Sequence, residues 1–107
     1  MKLFVCYTMR DGELTPSLLR KVERMFMAAG HTIFIDYLNN DSEQKQERVM
    51  AELRCCDKVI LLETSKVRDS EWASLELAYA RKNHKEVIPY VLLNNKLIKQ
   101  EACTKSL

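Results

Sequence analysis

With 107 residues, the chain has the size of one domain that can bury a modest hydrophobic core. Apolar residues make up 47% of it and charged residues 30%, an ordinary soluble balance, and no apolar run approaches the ~20 residues that span a membrane. The net charge of +2, with basic residues interleaved among acidic ones, argues against nucleic acid as a partner and leaves a small anionic ligand open.

The cysteines and histidines show no metal-binding pattern. The four cysteines contain no CxxC pair, and His31 and His84 have no ligand-like spacing to them or to each other. We therefore expect no metal. Residues 1–7 are too short for the apolar region of a signal peptide, so the expected location is cytoplasmic, with reduced cysteines.

Short apolar runs alternate with segments of helical periodicity along the chain. Such runs are typical of strands buried on both faces of a parallel sheet, and the intervening segments are long enough for right-handed crossovers. The predicted strands are residues 3–7, 31–36, 58–62 and 86–93, and the predicted helices are residues 15–29, 42–56 and 69–80. Residues 94–107 are expected to form a short helix or a disordered tail.

The ends of these elements carry local signals. Thr15 precedes Pro16, a capping residue followed by proline at the first helical position. Asp69 or Ser70 can cap the last helix, because a short side-chain oxygen accepts a bond from an unpaired amide. Pro89 has no backbone N–H to donate to a neighbouring strand, so the last predicted strand should lie at or near an edge of the sheet.

The alternation of strands and helices predicts an α/β fold over residues 1–93. The expected class is a three-layer, flavodoxin-like open parallel sheet with strand order 2-1-3-4 and helices on both faces. Ligands of such sheets bind beyond the carboxyl ends of the strands, here at loops 8–13, 37–41 and 63–70. With only two glycines, the chain contains neither a GxGxxG fingerprint nor a Walker phosphate loop, which argues against dinucleotide redox chemistry and NTP hydrolysis.

The last helix carries an aromatic and a carboxylate four residues apart, Trp72 and Glu76. This spacing should place both on one helical face. A carboxylate beside a large ring at a cleft suits holding a sugar or stabilising positive charge, since the ring excludes water and the carboxylate supplies the field. The alternative is a core Trp72 and a solvated Glu76, and the two residues alone favour that alternative.

Three motifs, in order, resemble the Toll/interleukin receptor (TIR) domain family. Residues 4–11, FVCYTMRD, look like its FISYSxxD box, residues 33–36 look like the strand before its BB loop, and residues 70–77, SEWASLEL, are similar to its SxWCxxEL box. The resemblance covers residues 2–93. The chain lacks a proline-glycine after Asp36 and has Ala73 in place of the box cysteine, so it looks like a minimal or bacterial-type member.

The resemblance implies an NAD nucleosidase that cleaves the nicotinamide glycosidic bond and yields ADP-ribose or a cyclic derivative. NAD is then the substrate, and no cofactor is needed. In enzymatic members the glutamate of the third box is catalytic, and it falls on Glu76. The resemblance also implies a signalling role in innate or anti-phage immunity and self-association through TIR contacts. From the charge balance and the lack of a long apolar run, we expect neither nucleic acid nor a membrane as partner.

The chemistry assigns roles to further residues. Nicotinamide leaves a cation-like ribose, so a nearby carboxylate can hold the ribose hydroxyls and stabilise the oxocarbenium-like transition state. The candidate substrate-binding residues are Tyr7, Thr8, Arg10, Asp36, Ser70 and Trp72. For Trp72 the favoured interpretation is a core residue that locks the helix onto the sheet.

Two alternatives for the function stay open. The first is a nucleoside deoxyribosyltransferase or related N-glycosidase, whose glutamate-containing helix resembles residues 76–80 and uses the glutamate as a covalent nucleophile. The second is a non-catalytic TIR interaction module.

The last predicted strand is long and apolar, with no later strand visible to pair with it, and natural proteins cover such edges. Because residues 94–107 offer few apolar side chains, self-association into a homo-oligomer is the expectation.

Overall fold

The computed structural model describes residues 1–93 and 96–100, which form one sheet flanked by helices. The sheet has the order β2-β1-β3-β4-β5. Its strands are β1 (Lys2–Cys6), β2 (Thr32–Phe34), β3 (Lys58–Glu63), β4 (Glu86–Leu93) and β5 (Lys96–Lys99). The helices are α1 (Pro16–Ala28), α2 (Asp36–Asn39), α3 (Lys45–Cys55) and α4 (Glu71–Lys82), with a 3₁₀ turn at Val67–Asp69 before α4.

The first four strands are parallel, and their predicted order 2-1-3-4 is confirmed. Phe4 of β1 pairs with Phe34 of β2 on one side and with Val59 of β3 on the other. This central position explains why β1 and β3 read as continuous apolar runs, since both of their faces are covered. The flavodoxin-like α/β class is therefore confirmed.

The segment after β4 corrects the prediction for the tail. Lys96–Lys99 forms a strand, not a short helix, and it pairs antiparallel with β4 from Leu93↔Lys96 to Tyr90↔Lys99. Gln100 then donates its backbone N–H to the carbonyl of Pro89. β4 is consequently next to the sheet edge, as its proline suggested, but it is not an open edge, and the argument from an open edge to self-association fails. Residues 94, 95 and 101–107 of the predicted tail lie outside the described residues.

The predicted N-caps of α1 and α4 are observed, whereas the segment between β2 and α3 differs from the prediction at two points. Thr15 Oγ1 accepts from the N–H of Leu18 at 3.1 Å, so the predicted cap of α1 is confirmed. The predicted polar loop after β2 contains the one-turn helix α2, and α3 begins at Lys45 instead of residue 42. Ser42 explains the late start, because its Oγ accepts from the N–H of Gln44 and so competes with helix formation.

Two apolar layers enclose the sheet. One lies between the sheet and α3 and α4, and it includes Phe4, Cys6, Val59 and Leu61. The other lies under α1 and takes the alternate residues of the same strands. The helices therefore lie on both faces, and the carboxyl ends of the strands meet the loops that precede α1, α2 and α4. Across the described ranges, no helix has the length and apolarity to cross a membrane.

Candidate functional site

Glu76 lies in the buried stripe of α4. The helix begins after Ser70, whose Oγ accepts from the N–H of Ala73 at 3.2 Å, so the predicted cap is confirmed. The buried residues that follow are spaced so that they lie on one side of the helix: Ala73, Glu76, Leu77 and Ala80. Glu76 is only 6% exposed, which contradicts the alternative of a solvated glutamate.

The last residue of β1, Cys6, meets this stripe. Its thiol is fully buried and donates to the carbonyl oxygen of Ala73 at an S···O distance of 3.6 Å, across 67 residues of sequence. Ala73 lies three residues before Glu76, so the contact holds the first turn of α4 against the carboxyl end of β1. Burial raises the pKa of the Cys6 thiol far above its usual range, and the nearby Glu76 charge adds to this, so the thiol stays protonated.

The carboxyl group of Glu76 has a perturbed pKa. Burial raises this pKa from its ordinary value of 4.5 to about 7. The neighbouring Cys6 thiol partly opposes this rise in pKa, and the negative charge of Asp36 adds to it. Among the residues that the structure describes, no lysine or arginine forms an ion pair with Glu76. The group therefore changes its charge near neutral pH.

Tyr7 joins the loop after β1 to the start of α2. Its hydroxyl oxygen accepts from the N–H of Tyr37 at 2.9 Å. Burial raises the pKa of Tyr7 to about 12, the charges of Asp36 and Glu76 add to this, and the bond from Tyr37 opposes it. Asp36 is itself held by Asn40, whose side-chain amide donates to it at 2.7 Å. Tyr7, Asp36 and Glu76 therefore form one electrostatic group at the carboxyl ends of β1 and β2.

Trp72 is not a core residue, which corrects the favoured interpretation. The residue is 36% exposed, because it lies at the border of the buried stripe and faces the gap between α4 and α3. Two cavities of about 210 and 520 Å³ share Trp72 and Gln46 in their walls. Asp36, Lys45 and Val49 complete the first, and Glu47, Met50, Ala51 and Arg54 complete the second.

Comparison with known proteins relates this architecture to a family. No family model matches the sequence, and no curated protein matches it. A solved structure is similar in fold: the TIR domain of the Toll-related receptor TRR-2 from the lower metazoan Hydra magnipapillata, with a TM-score of 0.67 at 13% identity, covering 98% of this chain and 78% of that one. The chain has the fold of a TIR domain. A likeness at this identity establishes the fold, and any activity has to be argued from the site.

The TIR fold brings some of the expected substrate-binding residues together and leaves others apart. Tyr7 and Asp36 lie within electrostatic range of Glu76, and Trp72 shares a cavity with Asp36. Thr8 is buried, and its Oγ1 accepts from the N–H of Arg10 at 3.2 Å, which shapes the loop. The Arg10 side chain is exposed, and the Ser70 oxygen caps α4. Among the described residues, no hydrogen bond or ion pair joins either side chain to Glu76.

Two of the loops that were expected to meet are joined by hydrogen bonds. Asp11 accepts from the N–H of Lys66 at 2.9 Å, and Glu13 accepts from the N–H and the hydroxyl of Ser65. Acidic side chains of the loop after β1 therefore hold the loop after β3. This joint fixes the entry to α4 relative to β1, and with it the position of Glu76.

Some residues of the site were not predicted from the sequence. Cys6 was assigned to the core of a strand, and its contact with the first turn of α4 could not be read from residues 67 positions apart. Lys45 and Gln46 line the smaller cavity beside Trp72, and no motif marked them. Throughout residues 1–93 and 96–100, no three His, Cys, Asp or Glu side chains gather closely enough to hold a metal ion.

Proposed function

We propose that this chain is a TIR-type enzyme that cleaves the nicotinamide glycosidic bond of NAD, with Glu76 as the catalytic carboxylate. The observation that carries the proposal is the buried carboxyl of Glu76, 6% exposed and with a pKa of about 7, at the carboxyl end of β1. Glu76 has no ion-pair partner among the described residues, and a buried carboxylate of this kind costs stability, so its presence is better explained by chemistry than by packing.

The reaction asks for a carboxylate with these properties. The bond between ribose C1′ and the nicotinamide nitrogen breaks, its electron pair leaves with neutral nicotinamide, and positive charge develops on the ribose. The ionised Glu76 stabilises that charge, and its field is strong because little water screens it. Attack of water at C1′ gives ADP-ribose and releases a proton, whereas attack by a nucleophile within the substrate gives a cyclic product.

The surroundings of Glu76 support this assignment. Trp72 lies one helical turn before it and is open to two cavities, which offers a flat apolar surface for a ring of the substrate. The charges of Asp36 and Glu76 both raise the pKa of the Tyr7 hydroxyl, and the charge of Asp36 raises the pKa of Glu76, so the three groups lie within electrostatic range of one another. In the proposed complex Asp36 and Tyr7 bind ribose hydroxyls.

A second candidate is favoured by the neighbouring carboxylates, Asp36 and Glu76. Two carboxyl groups near one glycosidic bond also suit a deoxyribosyltransferase or N-glycosidase, in which Glu76 attacks the sugar covalently. In this candidate the leaving group is a nucleobase, and a second base or water accepts the sugar.

Incubation of the pure protein with NAD, and separately with a 2′-deoxynucleoside plus a free base, tests both candidates. Mass spectrometry should find nicotinamide with ADP-ribose or its cyclic form in the first reaction and no exchange in the second. Base exchange would favour the second candidate. Turnover of neither substrate would contradict both and leave a non-catalytic TIR module.

Assembly belongs to the proposal as well. Self-association through TIR contacts, with a neighbouring copy completing the site, predicts that turnover rises more steeply than linearly with protein concentration. Light scattering at the same concentrations should show oligomers. A strict monomer whose activity per molecule is constant would contradict this part of the proposal and leave the role of Glu76 intact.

A further inference from the structure

The sheet face under α1 is covered unevenly. A helix with its side chains is about 10–12 Å across and strands lie about 4.8 Å apart, so one helix covers about two strands. The residues of β1 and β3 on this face are no more than 3% exposed: Leu3, Val5, Ile60 and Leu62. The corresponding residues of β4 and β5 are only partly buried: Ile88, Tyr90, Leu92 and Leu97. α1 therefore leaves an apolar strip over β4 and β5.

A cavity of about 380 Å³ lies on this strip, between α1 and the two strands. Its apolar walls are Leu14, Leu18, Val22, Met25, Leu92 and Leu97. Further along α1, Phe26 meets Tyr90 edge-to-face with ring centroids 5.6 Å apart. This aromatic pair fills the space between helix and sheet, so the cavity is bounded at that end. Its volume and apolar lining are those of small-molecule sites.

Two lysines complete the lining of this cavity, Lys21 of α1 and Lys96 of β5. Neither lysine forms an ion pair with a carboxylate in the part of the chain that the structure describes. No acidic side chain belongs to the lining. Within the described residues, the cavity therefore combines an apolar interior with two lysines that have no carboxylate partner.

We infer that this cavity binds a small anionic amphiphile, an aliphatic carboxylate whose alkyl chain fills the apolar space and whose head group meets Lys21 and Lys96. A symmetric contact with a second copy would bring these lysines towards lysines. A partner helix is a poor fit for the length of the cavity. Leu18 to Met25 spans only about 10 Å of α1 at 1.5 Å per residue, whereas an isolated helix needs about 12–15 residues, which is about 20 Å. This site lies on the opposite face of the sheet from Glu76 and is independent of the proposed enzyme activity.

The test is a titration of the full chain with decanoate, followed by amide chemical shifts in NMR spectra. Saturable shifts should cluster at the cavity walls. Octanoate should bind about 15-fold more weakly, because each buried methylene contributes about 0.8 kcal/mol, or about fourfold in affinity. Decanol and decyltrimethylammonium carry the same chain without the negative charge, and both should bind more weakly than decanoate.

Variants locate the site. Lys21→Gln and Lys96→Gln should each weaken decanoate several-fold and leave decanol unchanged, while Lys82→Gln, at the end of α4, is the matched control. Leu18→Trp should fill the cavity and abolish binding. The inference is overturned if the shifts caused by decanoate do not saturate, or if decanol or decyltrimethylammonium binds as tightly as decanoate. It is also overturned if the lysine variants have no effect on decanoate binding, or if light scattering shows a dimer that Leu18→Trp disrupts.

Discussion

Replacing Glu76 with glutamine should stabilise the protein, and the gain should depend on pH. The change keeps the shape of the side chain and removes its titration. In the folded protein the pKa of Glu76 is raised from 4.5 to about 7 by burial, so ionisation is harder in the folded chain than in the unfolded one. At any pH at which Glu76 ionises, the folded state is therefore less stable relative to the unfolded state than it is at low pH.

The sign and size follow from linkage. Below pH 4.5 the carboxyl is mostly protonated in both the folded and the unfolded state, so its ionisation does not change the free energy of unfolding. As the pH rises from 4.5 to about 7, the unfolded chain releases the proton first, and stability is lost. At 1.36 kcal/mol per pKa unit, the difference in the pKa of Glu76 between the folded and unfolded states lowers the free energy of unfolding by about 3 kcal/mol above about pH 8. Glu76→Gln should avoid this loss.

Urea unfolding at about pH 4 and about pH 8, followed by circular dichroism, measures the difference. The stability of Glu76→Gln relative to the parent chain should rise by about 3 kcal/mol between the two pH values. Glu71→Gln, at an exposed position of the same helix, is the matched control and should show no such rise. A pH-independent difference for Glu76→Gln would refute the assignment of a buried, hard-to-ionise carboxyl.

Substitutions at three further positions test the surroundings of the site. Trp72→Ala should cost less than about 2 kcal/mol in urea unfolding, because the residue is 36% exposed; a loss of about 3–5 kcal/mol would mark it as core. Asp36→Asn should lower the pKa of Glu76 below about 7, since a like charge is removed, and an unchanged pKa in an NMR titration would contradict the coupling. Ser70→Ala should cost about 1 kcal/mol through the lost cap of α4, and Ser70→Asp should keep most of that stability.

The elements that could be predicted from the sequence are those whose signals are local. The buried strands β1 and β3 are continuous apolar runs, and the caps Thr15 and Ser70 precede clear helical patterns. Strand order followed from crossover rules, which hold for any chain of this pattern. The strand β5 was missed because it has only four residues, of which only Leu97 packs inward. Such a strand is too short to show an alternation of apolar and polar residues.

The site was predictable in its central residue and not in its surroundings. Glu76 was identified through the resemblance of its box to a family motif, and its burial, which the residues alone had not favoured, depends on contacts of α4 with β1. The exposure of Trp72 depends on how α3 lies beside α4, and α3 itself starts later than predicted. Such facts arise from packing between elements distant in sequence, which local patterns do not encode.

The most direct test of the central claim is the rate of nicotinamide release from NAD as a function of pH. With a pKa of about 7 for Glu76, the rate of the parent chain should rise about tenfold between about pH 6 and about pH 8 and then level off. Glu76→Gln should release no nicotinamide at any pH, while Glu71→Gln should follow the parent chain. Turnover by Glu76→Gln at the parent rate would contradict the account.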